Sequence, residues 1–392
     1  MRLGAAHIVT CTPQTEKPDL SADRWRPPLT PPIGPLFLDA MNEAAELFFR
    51  NLLDTPSPSG YEQSIQQVVR NYVAPFAEQV TTDLHGNVVA SRNAQATPRV
   101  MFAGHCDQIG LLVTQIDDSG YLYTETIGGW DAQQLIGQRM TIWTSQGPVA
   151  AVIARKPIHL LNEQERKNAV KLEELWLDIG ARDKAEAAAS VRIGDAVTLE
   201  LGLQALRNRL VNAPGMDDKS GLWVVMEAFR RVADAQLSCG LFAVSTVQEE
   251  IGLRGAKTSA FEIAPQVAIA VDVTHATDCP TIDKRQRGEI GLGKGPVIFR
   301  GPNMNPVVAE RLIAVATRHN IPYQLAALGR ATSNDANSLQ ITRGGVATGV
   351  VAIANRYMHS PVETVSLDDL DQAAELLACF VRDLQPGDDF TP

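Results

Sequence analysis

The chain has 392 residues, 45% of them hydrophobic and 20% charged, which suits a soluble globular protein with a large core and room for two or three domains. Its 35 Lys and Arg against 45 Asp and Glu give a formal net charge of −10; this argues against nucleic acid or an anionic membrane as a partner, since both select clustered cations. No apolar run approaches the ~20 residues of a membrane span, the N-terminus lacks a basic segment followed by an apolar core, and Cys11, Cys106, Cys239, Cys279 and Cys379 are scattered without CxxC spacing. The sequence therefore predicts a cytoplasmic protein with neither a disulfide framework nor a zinc knuckle.

Residues 1–38 form a proline-rich arm: Pro13, Pro18, Pro27, Pro28, Pro31, Pro32 and Pro35 exclude a regular element there. The globular part is expected to start at Asp39 as an N-cap, with Met41, Ala44, Ala45, Phe48 and Leu52 along one helix face and Pro56–Gly60 as its stop. A second helix carries Ile65, Val68, Val69 and Tyr72. A hairpin over 79–83 and 87–91 turns at His85-Gly86-Asn87. Arg99 to Gly104 is a strand that runs into His105-Cys106-Asp107. From 109 to 206 short strands and turn residues recur, the texture of a small all-β domain inserted into an α/β one. Helix and strand alternation then resumes. An amphipathic helix is expected from Asp218 to Ala233, with strands at 240–247, 267–273 and 346–353. Asn305-Pro306 opens another helix, and a last one spans Leu367 to Leu384.

Five places put acidic or imidazole side chains at the ends of these apolar runs. His105 and Asp107 follow the first strand, Asp217-Asp218 opens the long helix, and Glu249-Glu250 ends strand 240–247. Asp272 follows Val267–Val271, and His359 follows the strand at 346–353. Open α/β sheets keep their chemistry at the C-terminal ends of strands. On regular strands, alternation would aim Glu249 and Glu250 at different neighbours and put His105 and Asp107 on one face. Singly each residue reads as a cap, a turn residue or a loop histidine. Jointly they offer two imidazoles, three carboxylates and a spare Glu. That inventory fits two divalent metals about 3.5–4 Å apart, bridged by a carboxylate and a water, and mixed N/O donors favour zinc, cobalt or manganese.

The set His105-x-Asp107, Asp217-Asp218-Lys219, Gln248-Glu249-Glu250-Ile251-Gly252-Leu253-Arg254-Gly255-Ala256, Asp272-Val273-Thr274 and Arg356–Pro361 resembles the tetrahedral-assembly (TET-type) dimetal aminopeptidases. Members are also called glutamyl or deblocking aminopeptidases or endoglucanases. Ile127–Asp131, Gly137–Arg139, Asp178–Ala181 and Gly291–Pro296 belong to the same likeness, which runs from about 39 to the C-terminus. It implies a three-layer, mixed-sheet, zinc-peptidase-like α/β catalytic domain (39–108 and 207–392) carrying an inserted β domain (109–206) that makes dimer contacts, six dimers closing into a hollow dodecamer. The implied roles place His105 and Asp272 on one metal and Glu250 and His359 on the other. Asp217 bridges the two and joins Asp218 through a cis peptide bond. Asp107 orients His105, and Glu249 is the general base that takes a proton from the shared water and delivers it to the leaving amine.

Gln108 departs from the family, which has an acidic residue after His-x-Asp, and Ser333-Asn334-Asp335-Ala336 stands where Gly-Thr-Asp-Ala is usual. Gly288–Gly295 nearly spells a phosphate-binding loop, but Gly295 occupies the place of the magnesium-binding Ser or Thr. The expectation is a hydrolase, a metal-dependent aminopeptidase acting on short peptides. The alternatives are a dimetal amidohydrolase or deacylase, a metal-free glycoside hydrolase using Glu249, and a non-catalytic binding cage.

Overall fold

The computed structural model describes residues 42–392, so the proline-rich arm and the helix start expected at Asp39 and Met41 lie outside the described residues. Helix α1 (Glu43–Asp54) is capped instead by Asn42, whose side chain accepts the Ala44 N–H. Helix α2 (Gln63–Val73) follows, then the hairpin strands β1 (Gln79–Thr82) and β2 (Val88–Arg92), then β3 (Arg99–His105). The next strands close into a barrel: β4 (Gly110–Ile116), β5 (Leu122–Ile127), β6 (Arg139–Thr144), β7 (Gly147–Ala154), β8 (Trp176–Asp178) and β9 (Ala196–Leu199). Short helices α3 (Ala132–Leu135), α4 (Glu163–Lys167) and α5 (Lys184–Ser190) sit in its connections.

Strands β10 (Gln204–Ala205) and β11 (Leu210–Asn212) lead back to α6 (Met216–Arg231) and β12 (Gly240–Thr246). After these come α7 (Arg254–Ile263), β13 (Val267–His275), α8 (Lys284–Arg287), β14 (Val297–Arg300), α9 (Pro306–Arg318), β15 (Gln324–Ala327), α10 (Asp335–Gln340), β16 (Ala347–Asn355), β17 (Thr364–Ser366) and α11 (Leu367–Arg382).

Eight strands form one mixed sheet in the order β1-β2-β12-β3-β13-β16-β14-β15, and β12, β3, β13 and β16 at its centre run parallel. Both faces of these four strands are covered, which explains their unbroken apolar runs. Side chains alternate between two cores. Val100, Phe102, Leu241, Ile269 and Ile353 face α1, α2, α6 and α11, whereas Met101, Ala103, Val244, Ala270 and Ala352 face α7 and α10. The barrel keeps a third core, into which Leu111, Val113, Met140, Ile142 and Ile153 point at every second position.

Helix α6 is not amphipathic. Every residue from Met216 to Phe229 is buried, because the sheet lies on one side and α1 and α11 on the other. Its Glu227 is accommodated by the Tyr72 hydroxyl at 2.7 Å and by Arg230 and Arg231 at 2.7 and 3.0 Å. Burying Leu222, Val225, Met226 and Phe229 contributes on the order of 2 kcal/mol each. A Cβ on Gly104 would lie 2.9 Å from the Leu222 Cα, so only glycine lets the end of β3 approach the backbone of α6 at Gly221 and Leu222. That approach brings His105 and Asp217 together.

Candidate metal centre

The side chains singled out in the sequence converge at the C-terminal ends of β3, β12, β13 and β16. Register pairs Thr246 of β12 with His105 of β3, so the turn after β12 lies beside the imidazole. Asp217 stands between the two histidines: its Oδ1 is 3.2 Å from His105 Nε2, and its Oδ2 is 3.2 Å from His359 Nε2. Glu250 Oε1 is 3.6 Å from His359 Nε2, and Glu249 Oε2 is 3.9 Å from His105 Nε2. Two trios, His105 with Glu249 and Asp272, and His105 with Asp217 and Glu250, bring their ligand atoms within 4.8 Å of one another. Glu249 thus shares a trio with His105 and Asp272. The Asp217–Asp218 peptide bond is cis.

Strand alternation is not what separates Glu249 from Glu250. Strand β12 stops at Thr246, and Gln248 turns the chain with φ +56°, so the two carboxylates stand on a turn. That turn is pinned by Asp107, whose Oδ1 accepts the Glu249 N–H at 3.0 Å and whose Oδ2 accepts the Glu250 N–H at 3.1 Å and the Ser59 hydroxyl at 2.6 Å. Likewise β3 ends at His105, so His105 and Asp107 do not share a strand face. His105 Nδ1 is 3.0 Å from the Asp107 carbonyl oxygen and 3.5 Å from its Oδ1. Both of these hold the ring with Nε2 turned towards Asp217. Asp218 faces away from the cluster; its carboxylate accepts the Gly221 N–H at 3.0 Å, as an N-cap does, and the His105 N–H at 3.3 Å.

The buried imidazoles and carboxylates of the cluster shift one another's proton affinities. Burial works against a charged His105, but Glu249, Asp107 and Asp217 outweigh it and hold the imidazolium well above its ordinary range. His359 is likewise disfavoured by burial and yet pushed up to about 11 by Asp217 and Glu250. Burial, then the mutual repulsion of the carboxylates, raises Glu249, Glu250 and Asp272. Burial would raise Asp217 too, but its two imidazole partners lower it.

The residues fit divalent cations. Glu250 Oε1 is buried with no hydrogen-bond partner, the mark of a donor oriented towards something other than protein. Two imidazole nitrogens beside four carboxylates make a mixed set suited to zinc, cobalt or manganese. His105 is sealed in at 2% side-chain exposure and His359 is open at 33%. The open side faces a cleft of about 860 Å³. Phe299, Leu328, Val350 and Met358 give it apolar walls, and Arg287 and Arg330 add cationic groups. Gly129, from the barrel, lines the same cleft and lies against the His359 ring.

The sequence assigned no role to several residues that work here, although Lys219 and Asp335 lie within motifs of the resemblance. Glu62 accepts the Gln248 N–H at 3.1 Å. Asp335 takes the Thr246 hydroxyl at 2.6 Å, and burial pushes its carboxyl up to about 6. Lys219 donates to the Thr55 carbonyl at 2.8 Å and to Gln108 Oε1 at 2.6 Å. Glu363 binds backbone near the cluster. The glycine-rich loop that failed as a phosphate site does wrap an anion: Gly293 and Gly295 donate their N–H groups to Asp369 at 2.8 and 2.7 Å.

A sequence profile of the family described as M42 glutamyl aminopeptidase matches residues 86–376. The lysyl aminopeptidase of Pyrococcus furiosus is 37% identical over 348 residues, which cover 88% of this chain and 98% of that protein. Among solved structures, the TET aminopeptidase of a marine sediment Thaumarchaeota archaeon superposes with a TM-score of 0.83 at 34% identity, over 87% of this chain and 96% of its own. The Pyrococcus horikoshii TET1 peptidase, which can assemble into a tetrahedron or a large octahedral shell, gives 0.78 at 30% identity, over 87% of this chain and 100% of its own.

Proposed function

The chain belongs to the M42 glutamyl aminopeptidase family and is a metal-dependent aminopeptidase, and we propose that it uses two divalent cations, with Glu249 as general base, to release N-terminal residues from short peptides. The observation that carries this reading is Asp217, which offers one carboxylate oxygen to each of two imidazoles at 3.2 Å. In it, His105 and Asp272 would hold one cation and His359 and Glu250 the other, with Asp217 placed to serve both. Zinc or cobalt is the proposed pair, with manganese the third option.

When bound, such cations polarise the scissile carbonyl and make water acidic enough to attack at neutral pH. Glu249 accepts the proton that this water gives up and passes it to the departing amine as the C–N bond breaks, so one residue serves as base and then as acid. A carboxyl held above its ordinary range by burial suits that task, since it must keep the proton between the two steps. Asp107 fixes the turn that carries Glu249 and Glu250, and the sealed side of the cluster at His105 keeps bulk water from one flank.

We further propose that 109–206 is a dimer-forming insert on a catalytic domain of 39–108 and 207–392. The assembly reported for the P. horikoshii relative supports a homo-oligomer, with a dodecamer as its closed form. Among the described residues no helix is long and apolar enough to cross a membrane, and we assign the protein to the cytoplasm.

A panel of aminoacyl-anilides, assayed after EDTA treatment and again with zinc, cobalt or manganese restored, tests the reading. Free-amine substrates should be cleaved only when metal is present. Hydrolysis of acylated substrates alone would point to a deacylase, and anilide cleavage that survives EDTA would contradict the two-cation reading; a glycosidase would cleave none of these anilides and would keep its activity on a glycoside in EDTA.

A further inference from the structure

Glu363 connects the two flanks of the metal centre through their backbones, and the chemistry above gives it no part. The residue is 2% exposed and directly precedes β17. Both of its carboxylate oxygens are spent on main-chain donors: Oε1 accepts the His359 N–H at 2.7 Å, and Oε2 accepts the Asp217 N–H at 3.1 Å. Its own carbonyl takes the Ala213 N–H at 3.0 Å, which ties it to the segment entering α6. Arg356 and Thr364 exchange N–H···O bonds at 2.9 and 3.0 Å and close the loop around His359. Glu363 therefore sits at the base of that loop and reaches across it to α6.

The loop needs holding. His359 has φ +60° and Tyr357 φ +63°, a region that L residues enter at a cost of roughly 1–3 kcal/mol each. Of the ordinary side chains, a glutamate is long enough to span the gap and also presents two acceptor oxygens; glutamine has the length but only one acceptor, and its NH2 would oppose an N–H. His105 and Asp272 depend on none of this, since each is fixed by the paired strand that carries it, β3 or β13.

We infer that Glu363 is a positioning residue that sets the spacing of His359 and Asp217 and thereby governs the affinity of the cation position on the His359 side, which draws on both of these residues, more strongly than that of the His105 side, which shares only Asp217. This rests on the two-cation reading above. Carboxylates and carbonyls behind metal ligands typically govern affinity by ~10–100-fold, and here the lever acts through the ligands' backbone.

The test is calorimetric titration of zinc, and separately of cobalt with its visible absorption as a second readout, into EDTA-stripped full-length protein. The proteins are the parent, Glu363→Gln and Glu363→Asp, each also melted without metal. The parent should take up two ions per chain. In Glu363→Gln one ion should bind roughly 10–100-fold more weakly and the other should lose distinctly less. Glu363→Asp keeps both oxygens one methylene further back; it should show the same unequal loss on a smaller scale, and it carries the test if Glu363→Gln does not fold. Two ions bound with parental affinity in the variants, or both weakened equally beside a lowered melting temperature, would overturn the inference. Fewer than two ions in the parent would overturn the two-cation reading itself.

Discussion

Lys219 carries an ammonium group with no exposure to solvent and, among the described residues, only neutral acceptors: the Thr55 carbonyl at 2.8 Å and Gln108 Oε1 at 2.6 Å. Position 108 is where the resemblance leads one to expect an acid. Burial pushes Lys219 down from its ordinary 10.5 to about 7. Keeping it charged below pH 7 therefore costs on the order of 5 kcal/mol relative to the unfolded chain. Gln108→Glu is isosteric and sets a carboxylate against the ammonium. Desolvating the introduced carboxylate offsets part of the benefit, and the net gain should be about 2 kcal/mol at pH 7.

The pH dependence gives the sharper check. Between about 7 and 10.5 the unfolded parent binds a proton that the folded parent has lost, so this group makes parental stability rise with pH across that window. Pairing with the new carboxylate lifts Lys219 back towards its ordinary value and flattens the rise. The stability difference between variant and parent, measured by urea unfolding in EDTA, should be largest near pH 7 and shrink towards pH 10.5. A variant less stable than the parent at pH 7, or a difference that does not vary with pH, would refute the reasoning.

Glu249→Gln should lower kcat by roughly 10²–10⁴-fold while leaving the number of bound ions unchanged, measured by anilide kinetics beside elemental analysis. Metal affinity should rise with pH through the neutral range, by about tenfold per pH unit for each proton displaced. The His359 proton that must leave is held up to about 11, so isothermal titration in buffers of different ionisation heat should record proton release at every pH tested. Asp369→Asn removes one of the two acceptors that serve Gly293 and Gly295 and should destabilise the protein by about 1–3 kcal/mol in urea unfolding, with metal stoichiometry intact.

The residues of the candidate site could be picked out of the sequence because most of them end, or closely follow, the most legible strands. Central parallel strands are apolar along their whole length, so β3, β12, β13 and β16 stand out, and the polar residues that terminate them stand out with them. What failed did so for identifiable reasons. Alternation predicts the facing of Glu249, Glu250 and Asp107 only if the strands continue, and they have already ended at Thr246 and His105. Helix α6 reads as amphipathic because Lys219 and Glu227 look like a solvated face; their partners come from Thr55, Gln108, Tyr72 and two arginines. The short strands β14 and β15, of four residues each and the latter at the sheet edge, carry too little pattern to register. Glu62, Asp335 and Glu363 bind backbone or hydroxyl groups brought in by the fold, and such contacts leave no periodic trace. Glu363 had one local hint, its position four residues after His359.

The central claim is that Asp217 lies between two cations. Anomalous diffraction from crystals grown with zinc, recorded on both sides of the zinc absorption edge, tests it most directly. The account predicts two peaks per chain, one flanked by His105 and Asp272 and the other by His359 and Glu250, each touching a different oxygen of Asp217. A single peak, or two peaks that leave Asp217 without contact to either, would contradict it.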